Sequence, residues 1–191
     1  MALAIPPEIR NSDIGVTSCL NLTQQEIQKI IDLHEDDSTL HRKGKVQNED
    51  SNVIDFKKRE VDVFVIHEKQ EWVDELLILG AKNANELFQF NLTGILERPQ
   101  LLRYSAPSIG YGWHLDIGTG DHSTRKISIS VCLNDDYEGG ELAFFMSGEQ
   151  SIKPDAGTGI AFPSFMPHKV TPVRKGERWA LVCWITGEPF R

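Results

Sequence analysis

The stretch "GYGWHLDIG", residues 110–118, places a histidine and a carboxylate two positions apart. Side chains at positions i and i+2 of a β-strand point to the same face of the strand. If the stretch is a strand, His114 and Asp116 share one face, and we expect Trp113 and Leu115 on the opposite, buried face. An imidazole and a carboxylate on one face can bind a metal ion together, although a core histidine bonded to an aspartate is the commoner use of such a pair.

A third ligand is available in "FPSFMPHKV", where His168 opens a strand after a proline-containing turn. Two imidazoles and one carboxylate on one side of a metal ion leave three coordination positions open, as in non-haem Fe(II) oxygenases. The open positions accept a bidentate co-substrate and dioxygen. A zinc hydrolase can also use two histidines and an acid, but it needs a general base in addition. The sequence therefore predicts a metal site made of His114, Asp116 and His168.

The other four histidines lie in less informative surroundings. His34 ends an apolar helical stripe, and His41 and His67 lie in or beside polar connections. His122 lies in the loop "GTGDHSTRK". We expect structural or solvent-exposed roles for all four, because histidine is common at both kinds of position.

An arginine follows the third ligand in "HKVTPVRKGERWALVCW". The strand that begins at His168 runs into a turn, and Arg178 opens the next strand of the predicted hairpin. A guanidinium there can bind a carboxylate beside the metal through charge-assisted hydrogen bonds, each worth about 1.5–3 kcal/mol. Arg174, in the turn, is the weaker candidate for this role. The alternative for Arg178 is a surface ion pair with Glu177 or Asp155.

Composition limits the class of protein. The chain has 191 residues, of which 40% are hydrophobic, enough for one sizeable core, and we interpret residues 1–191 as a single domain. The net charge of -8 argues against a general duplex nucleic-acid binder, which would carry a basic surface. The three cysteines lie far apart without a CxxC pair, which favours a reduced, intracellular protein. "MALAIPPEIR" has neither a basic n-region nor a membrane-spanning apolar run, so we expect a cytoplasmic protein without membrane contact.

Two helices are predicted in the N-terminal half. "LTQQEIQKIIDLH" has a capping box, with Thr23 and Glu26 three positions apart. "EWVDELLILGAKNANELFQF" places an apolar face on a second helix, with Leu87 and Gly80 among its members. Between them, residues 35–56 are polar and aperiodic and predict a mobile connection. Its "HRKGK" cluster is interpreted as a solvated loop, with binding of a partner as the alternative.

From about residue 91 the chain consists of short strand-like runs separated by Gly, Pro and Asp, which predicts an antiparallel sandwich or barrel with the helices packed outside. We therefore assign residues 1–60 to the N-terminal helix and connection, residues 61–191 to a catalytic region, and the barrel core to the part from about residue 91. "ISISVC" alternates apolar residues with Ser128, Ser130 and Cys132. This small polar face either leaves room for a ligand inside the barrel or faces solvent.

His114-x-Asp116, His168 and Arg178 together resemble the Fe(II)/2-oxoglutarate-dependent dioxygenases, and more narrowly the prolyl 4-hydroxylase branch and its PKHD-type relatives. The most specific part of the resemblance is "HKVTPVRKGERWALVCWI" with "YEGGEL". The resemblance covers about residues 60–188. It implies a double-stranded β-helix (jelly roll) and a dioxygenase that binds iron with the two histidines and the aspartate. It also implies 2-oxoglutarate and O2 as co-substrates, Arg178 and Tyr104 as 2-oxoglutarate-binding residues, and L-ascorbate (vitamin C) as reductant.

The same resemblance implies a prolyl residue in a peptide or protein as substrate. Tyr111, Arg125 and Trp184 match substrate-side residues of prolyl hydroxylases, with core packing as the alternative for the two aromatic residues. Counting by two independently places Arg178, Val182 and Trp184 on one strand face. Cys132 is a departure, because some relatives have a tyrosine there that binds the co-substrate.

Other functions compete with this prediction. The same chemistry on a free amino acid or another small molecule is the first alternative. An alkylated nucleic acid is disfavoured by the acidic balance and by the lack of a second arginine soon after Arg178. A cupin-like module that binds a metal without oxidation usually supplies His-x-His and a nearby Glu, and neither is found here.

Overall fold

The computed structural model describes residues 15–43 and 60–190. The N-terminal decapeptide and residues 44–56 of the predicted mobile connection lie outside these ranges. The helices are α1 (Gln24–Asp32) and α2 (Glu71–Phe88), with short 3-10 helices at Leu33–Glu35 and Gly120–Thr124. The strands are β1 (Thr17–Asn21), β2 (Leu40–Lys43), β3 (Asp62–Val65), β4 (Leu92–Ile95), β5 (Gln100–Ser105), β6 (Tyr111–His114), β7 (Arg125–Cys132), β8 (Glu138–Gly139), β9 (Leu142–Phe145), β10 (Glu149–Ile152), β11 (Thr158–Pro163), β12 (His168–Val170), β13 (Val173–Lys175) and β14 (Glu177–Gly187).

Two antiparallel sheets form the double-stranded β-helix that the sequence predicts. The major sheet has the strand order β1-β11-β7-β14-β5-β3-β2, with β4 paired to the end of β14. The minor sheet has the order β10-β9-β12-β6, and β8 pairs with β13 separately. The sequence predicts that the barrel core starts at about residue 91, but β1, β2 and β3 also belong to the major sheet. The sheet therefore begins earlier in the chain than the run of short strand-like segments.

The alternation of β7 separates the core from the interior of the barrel. Ile127 and Ile129 are buried in the largest apolar cluster, which also contains the inward faces of both helices. Ser128 and Ser130 point the other way and line a cavity between the sheets. The small polar face thus lines a cavity, and the solvent-facing alternative was wrong.

The two helices pack against the face of the major sheet that carries the isoleucines of β7. The capping box of α1 is present, since the Thr23 hydroxyl accepts from the Glu26 amide and the Glu26 carboxylate accepts from the Thr23 amide. In α2, Gly80 is required by close packing, because a Cβ atom there would lie 2.7 Å from Cγ of Leu20. Leu87 is 44% exposed, so its predicted place on the buried face was wrong.

Part of the predicted mobile connection is a strand. β2 pairs with β3 at the edge of the major sheet, and two of its side chains, together with one from β5, surround one buried carboxylate. The side chains of His41, Lys43 and Arg103 lie 3.0, 2.6 and 3.1 Å from the Asp62 carboxylate. The "HRK" part of the cluster is therefore a charged edge strand and not a solvated loop.

The three cysteines are buried free thiols, as the sequence predicts for a reduced chain. Among the described residues, neither helix has the length and apolar character needed to cross a membrane.

Candidate active site

The three predicted metal ligands come together in the structure. His114 ends β6 and His168 begins β12, and the two residues are directly paired across these neighbouring strands. Nε2 of His114 lies 3.6 Å from Oδ1 of Asp116, and Nε2 of His168 lies 3.5 Å from Oδ2. The three ligand atoms all lie within 4.8 Å of one another. No other group of three such side chains is found in residues 15–43 and 60–190.

Both imidazoles are oriented by the main chain. Nδ1 of His114 lies 2.9 Å from the carbonyl oxygen of Gly112, and Nδ1 of His168 lies 3.0 Å from that of Met166. Because a carbonyl oxygen only accepts hydrogen bonds, Nδ1 carries the proton in each ring. The unprotonated Nε2 atoms then face Asp116, which is the tautomer that a metal ion requires.

Asp116 reaches the cluster by a route that strand alternation did not predict. β6 ends at His114, and Leu115 is 48% exposed, so the expected continuous strand with a buried Leu115 was wrong. The main-chain amides of Asp116 and Ile117 instead donate to the carbonyl oxygen of Ser164, at 3.0 and 3.2 Å. The chain therefore bends away from β6 after His114, and the Asp116 carboxylate points at both histidines.

The carboxylate of Asp116 is held in its ionised form. The Ser128 hydroxyl donates to Oδ2 at 2.6 Å, and Oγ of Ser164 lies 3.0 Å from that hydroxyl. Burial raises the pKa of Asp116, but His168 and His114 when protonated, together with hydrogen bonds from Ser128 and Trp184, outweigh burial and lower the pKa. With Nε2 of both rings unprotonated, the site offers one carboxylate and two neutral nitrogen ligands, which suits a divalent cation.

Arg178 lies on the opposite wall of the same cavity. β14 belongs to the major sheet and β12 to the minor sheet, so the predicted hairpin between their strands was wrong. Arg178 is only 4% exposed and stands opposite Tyr104 in the register of β14 and β5. Its Nε has no hydrogen-bond partner among the described residues. Arg174, in contrast, is exposed.

The cavity has a volume of about 970 Å³ and is lined from both sheets. The three metal-ligand candidates lie on its wall, and Arg178, Val182 and Trp184 all line it, as counting by two predicts. A buried cation with an unsatisfied donor and a carboxylate–imidazole cluster thus line one cavity. Such a space can hold a small carboxylate ligand with room for a second molecule.

Residues 99–186 match the family model described as the 2OG-Fe(II) oxygenase superfamily, where 2OG is 2-oxoglutarate. This segment, just under half of the chain, is thus similar to that superfamily. It is 46% identical over 96 residues to a PKHD-type hydroxylase of Alteromonas mediterranea, a match that covers 46% of this chain and 42% of that protein. It is 36% identical over 129 residues to one of Thermosynechococcus vestitus, covering 63% of this chain and 58% of that protein. The matches thus span about half the length of these curated relatives.

The fold agrees with this family. A prolyl hydroxylase from Trichoplax adhaerens, solved in complex with a peptide fragment of hypoxia inducible factor, superimposes with a TM-score of 0.69 and 18% identity. The superposition covers 91% of this chain and 84% of that one. At this identity the likeness establishes the fold alone.

The residues present fit the metal and co-substrate that define the 2OG-Fe(II) oxygenase superfamily. His114, Asp116 and His168 supply the nitrogen and oxygen donors that Fe(II) prefers, with the protons already placed on the far side of both rings. The unpartnered Nε of buried Arg178 suits a carboxylate, because a buried donor without an acceptor is costly.

Tyr137, which sequence reasoning missed, completes the surroundings of Arg178. Its hydroxyl hydrogen-bonds with the Arg178 guanidinium and lies 3.6 Å from Sγ of Cys132, the departure noted in the sequence. Gly140 permits this contact, since at its φ of +65° a Cβ atom would lie 2.9 Å from Cδ of Arg178. Burial raises the pKa of Tyr137, so the hydroxyl is protonated and able to donate. The "YEGGEL" motif therefore contributes both Tyr137 and the space beside Arg178.

The three residues predicted to meet the substrate all line the cavity. Tyr111 stacks on His114, with ring centroids 3.7 Å apart. Trp184 is half-buried, and the guanidinium carbon of Arg125 lies 3.9 Å from the centroid of its ring. Tyr111 and Trp184 thus place aromatic surface beside the metal cluster, whereas Arg125 is 7% exposed.

A second missed residue is Glu97, in the connection between β4 and β5. It lines the cavity and forms a two-pronged ion pair with Arg125, in which Nε donates to Oε1 at 2.6 Å. Glu97 lies alone in "ILERPQ", without a motif or a spacing that would mark it as a functional residue. The available signal was Arg125, because a cation buried in a strand requires an anionic partner.

Cationic and imidazole side chains lie at the edge of the cavity. Arg42 and Lys43 of β2 line it on one side, and His122 lines it on the other, 3.7 Å from Glu97. The role expected for His122, structural or solvent-exposed, agrees with its 55% exposed side chain. It takes no part in the metal cluster.

Proposed function

We propose that this protein is an Fe(II)- and 2-oxoglutarate-dependent dioxygenase that hydroxylates a C–H bond and releases succinate and CO2. The observation that carries the proposal is the pairing, across one cavity, of the His114–Asp116–His168 cluster with the buried Arg178, whose Nε has no partner among the described residues. A metal site alone would serve many proteins. A buried guanidinium in the same cavity can bind a second carboxylate of a ligand that is held at the metal site.

Each residue of the cavity then has a defined part. His114, Asp116 and His168 would hold Fe(II), which when bound supplies the activation of dioxygen. Arg178 binds the distal carboxylate of 2-oxoglutarate, and Tyr104 lies beside it, with its ring centroid 5.5 Å from the guanidinium carbon. Ser128 and Ser130 line the cavity with small side chains, which leave room for a ligand.

We propose a prolyl residue in a peptide or protein as the substrate. Two aromatic rings, Tyr111 and Trp184, line the cavity next to the metal cluster. A pyrrolidine ring is rigid and apolar and packs against aromatic faces at low entropic cost. The Trichoplax prolyl hydroxylase, which has this fold, was solved with a peptide, and the curated relatives carry the name PKHD-type hydroxylase.

The decisive experiment measures succinate formed from 2-oxoglutarate, with Fe(II), ascorbate and a panel of proline-containing peptides, in parallel with mass spectrometry of the peptides. We expect peptide-dependent succinate and a gain of one oxygen on proline. His168→Ala provides the matched control, because it removes one metal ligand and should abolish both signals.

Two other outcomes would redirect the proposal. Oxidation of free amino acids or other small molecules, with proline peptides untouched, would retain the dioxygenase and reject the peptide substrate. Tight metal binding with no 2-oxoglutarate turnover under any condition would reject the dioxygenase in favour of a cupin-like binding module.

A further inference from the structure

Arg125 and Glu97 form a partly buried ion pair that touches the metal-ligand candidate Asp116 and the aromatic residue Trp184. Resemblance alone assigned Arg125 to the substrate, and Glu97 precedes the part of the chain that matches the family model, residues 99–186. The contacts of the pair point to a different task.

The donors of Arg125 are directed into the protein. Nε and one Nη donate to the two oxygens of Glu97, and the other Nη donates to the main-chain carbonyl of Asp116 at 2.9 Å. One face of the guanidinium is covered by Trp184 at 3.9 Å. With 7% of the residue exposed, Arg125 has little left to offer a substrate.

Asp116 needs such support because it lies beyond the end of β6. Its three polar groups are held separately: the amide by the Ser164 carbonyl, the carboxylate by the Ser128 hydroxyl, and the carbonyl by Arg125. A ligand outside a strand has no ladder hydrogen bonds to fix its main chain. The hydrogen bond from Arg125 to the Asp116 carbonyl therefore restrains the main chain of this ligand.

Charge explains why Glu97 is present as well. A guanidinium bonded to the main chain of a metal ligand would repel a divalent cation if it were uncompensated. The two-pronged pair with Glu97 cancels that charge beside the metal-ligand candidates. Glu97 therefore makes a buried arginine compatible with a neighbouring metal ion.

We propose that Glu97 and Arg125 are positioning residues that orient Asp116 for metal binding and keep their shared charge neutral beside the metal. This inference rests on the proposed function only in taking His114, Asp116 and His168 as the metal site. Removal of outer hydrogen-bond partners of metal ligands typically costs 10- to 100-fold in affinity.

The test is Mn(II) binding, measured by electron paramagnetic resonance on the full chain without co-substrate. We expect Glu97→Gln and Arg125→Ala each to weaken Mn(II) binding by about tenfold. Glu149→Gln is the matched control, because it breaks an ion pair with Lys169 (2.8 Å) in the minor sheet, outside the cavity. It should bind Mn(II) as the unaltered chain does.

The double variant Glu97→Gln, Arg125→Gln separates charge from folding. Because it removes the uncompensated cation, it should bind Mn(II) more tightly than Glu97→Gln alone, whereas simple loss of structure would make it worse. Should Glu97→Gln fail to fold, Glu97→Asp replaces it. This variant keeps the carboxylate on a shorter side chain, and we expect it to lose less Mn(II) affinity than Glu97→Gln.

Unchanged Mn(II) affinity in folded Glu97→Gln and Arg125→Ala, or a double variant weaker than Glu97→Gln, overturns the inference. A raised peptide KM at unchanged metal affinity would return Arg125 to the substrate. If the unaltered chain binds Mn(II) with the expected variant pattern but never consumes 2-oxoglutarate, the proposed function fails while this inference stands.

Discussion

The rings of His114 and His168 lie side by side, with centroids 4.1 Å apart, because the two residues are paired across β6 and β12. Each ring is oriented by the carbonyl oxygen of the residue two positions before it in the chain. The local main chain thus fixes both nitrogen ligands before any metal arrives. Asp116 is the ligand whose position depends on distant parts of the chain.

One metal ion should bind per chain, and its affinity should depend on the cluster. We expect about one Mn(II) or Fe(II) per chain, and His168→Ala should weaken binding by more than about 100-fold, beyond the cost of losing an outer hydrogen-bond partner. His122→Ala removes a histidine from the edge of the same cavity and should leave the affinity within about threefold. Equal losses in both variants would show that the ligands are misassigned.

The 2-oxoglutarate requirement should depend on Arg178. Arg178→Ala leaves a carboxylate in a largely buried site without its counter-charge, so we expect the KM for 2-oxoglutarate to rise on the order of 100-fold. Arg178→Lys should lose less, since it keeps the charge without the planar fork. The exposed Arg174 is the matched control. A raised KM for 2-oxoglutarate in Arg174→Ala, with an unchanged KM in Arg178→Ala, would reject the assignment of Arg178.

Tyr137→Phe tests the missed neighbour of Arg178. Loss of one hydroxyl hydrogen bond costs about 1 kcal/mol, so the affinity for 2-oxoglutarate should fall about fivefold while Mn(II) binding is unchanged. Tyr111→Phe removes a hydroxyl at the metal end of the cavity and should not affect 2-oxoglutarate. A Tyr137→Phe variant with unaltered co-substrate affinity would limit Tyr137 to packing.

Asp62 should make stability depend on acid pH. Burial raises its pKa, but hydrogen bonds from Lys43, His41 and Arg103 outweigh this and lower the pKa to about 2. A lowered carboxyl pKa stabilises the fold above the unfolded pKa of about 4, and that stabilisation, about 2 kcal/mol, is lost as the pH falls toward 2. Urea unfolding of Asp62→Asn and the unaltered chain should therefore differ most above pH 5 and converge near pH 2. A constant difference would contradict the assignment.

Trp184 should affect both the metal and the peptide. Trp184→Phe keeps an aromatic face toward the cavity but loses the indole N–H that hydrogen-bonds Asp116, so Mn(II) binding should weaken severalfold at a nearly constant peptide KM. Trp184→Ala should impair both quantities. Metal titration and peptide kinetics on the two variants separate these effects, and intact Mn(II) affinity in both would leave Trp184 a substrate role only.

The residues of the metal cluster could be predicted from sequence because their types and their spacing are informative. Its geometry could not be predicted in full. The bend at Asp116 is held by hydrogen bonds to the Ser164 carbonyl, 48 residues later in the chain. The alternation of residues within one strand does not predict such a contact. The same limit applies to the hairpin predicted for Arg178, since chain proximity to His168 did not reveal that the two strands enter different sheets.

Residues that act through a partner were the hardest to find. Glu97 and Tyr137 lie in connections outside β4, β5 and β7, where neither periodicity nor spacing marks them. β2 was mistaken for a loop because an edge strand rich in cations has the composition of a solvated segment. In each case the missing information was the tertiary neighbour and not the residue type.

The separation of the two ligand-binding walls has one more consequence. His168 stands on the minor sheet and Arg178 on the major sheet, so the separation of these two side chains depends on the packing of two sheets and not on the reach of a flexible loop. Such spacing, about 10 Å between sheet planes, is set by core side chains on every strand and barely adjusts to a ligand. Under the proposed function, the affinity should therefore depend on ligand length: keto-diacids one methylene shorter or longer than 2-oxoglutarate should bind more weakly than 2-oxoglutarate does.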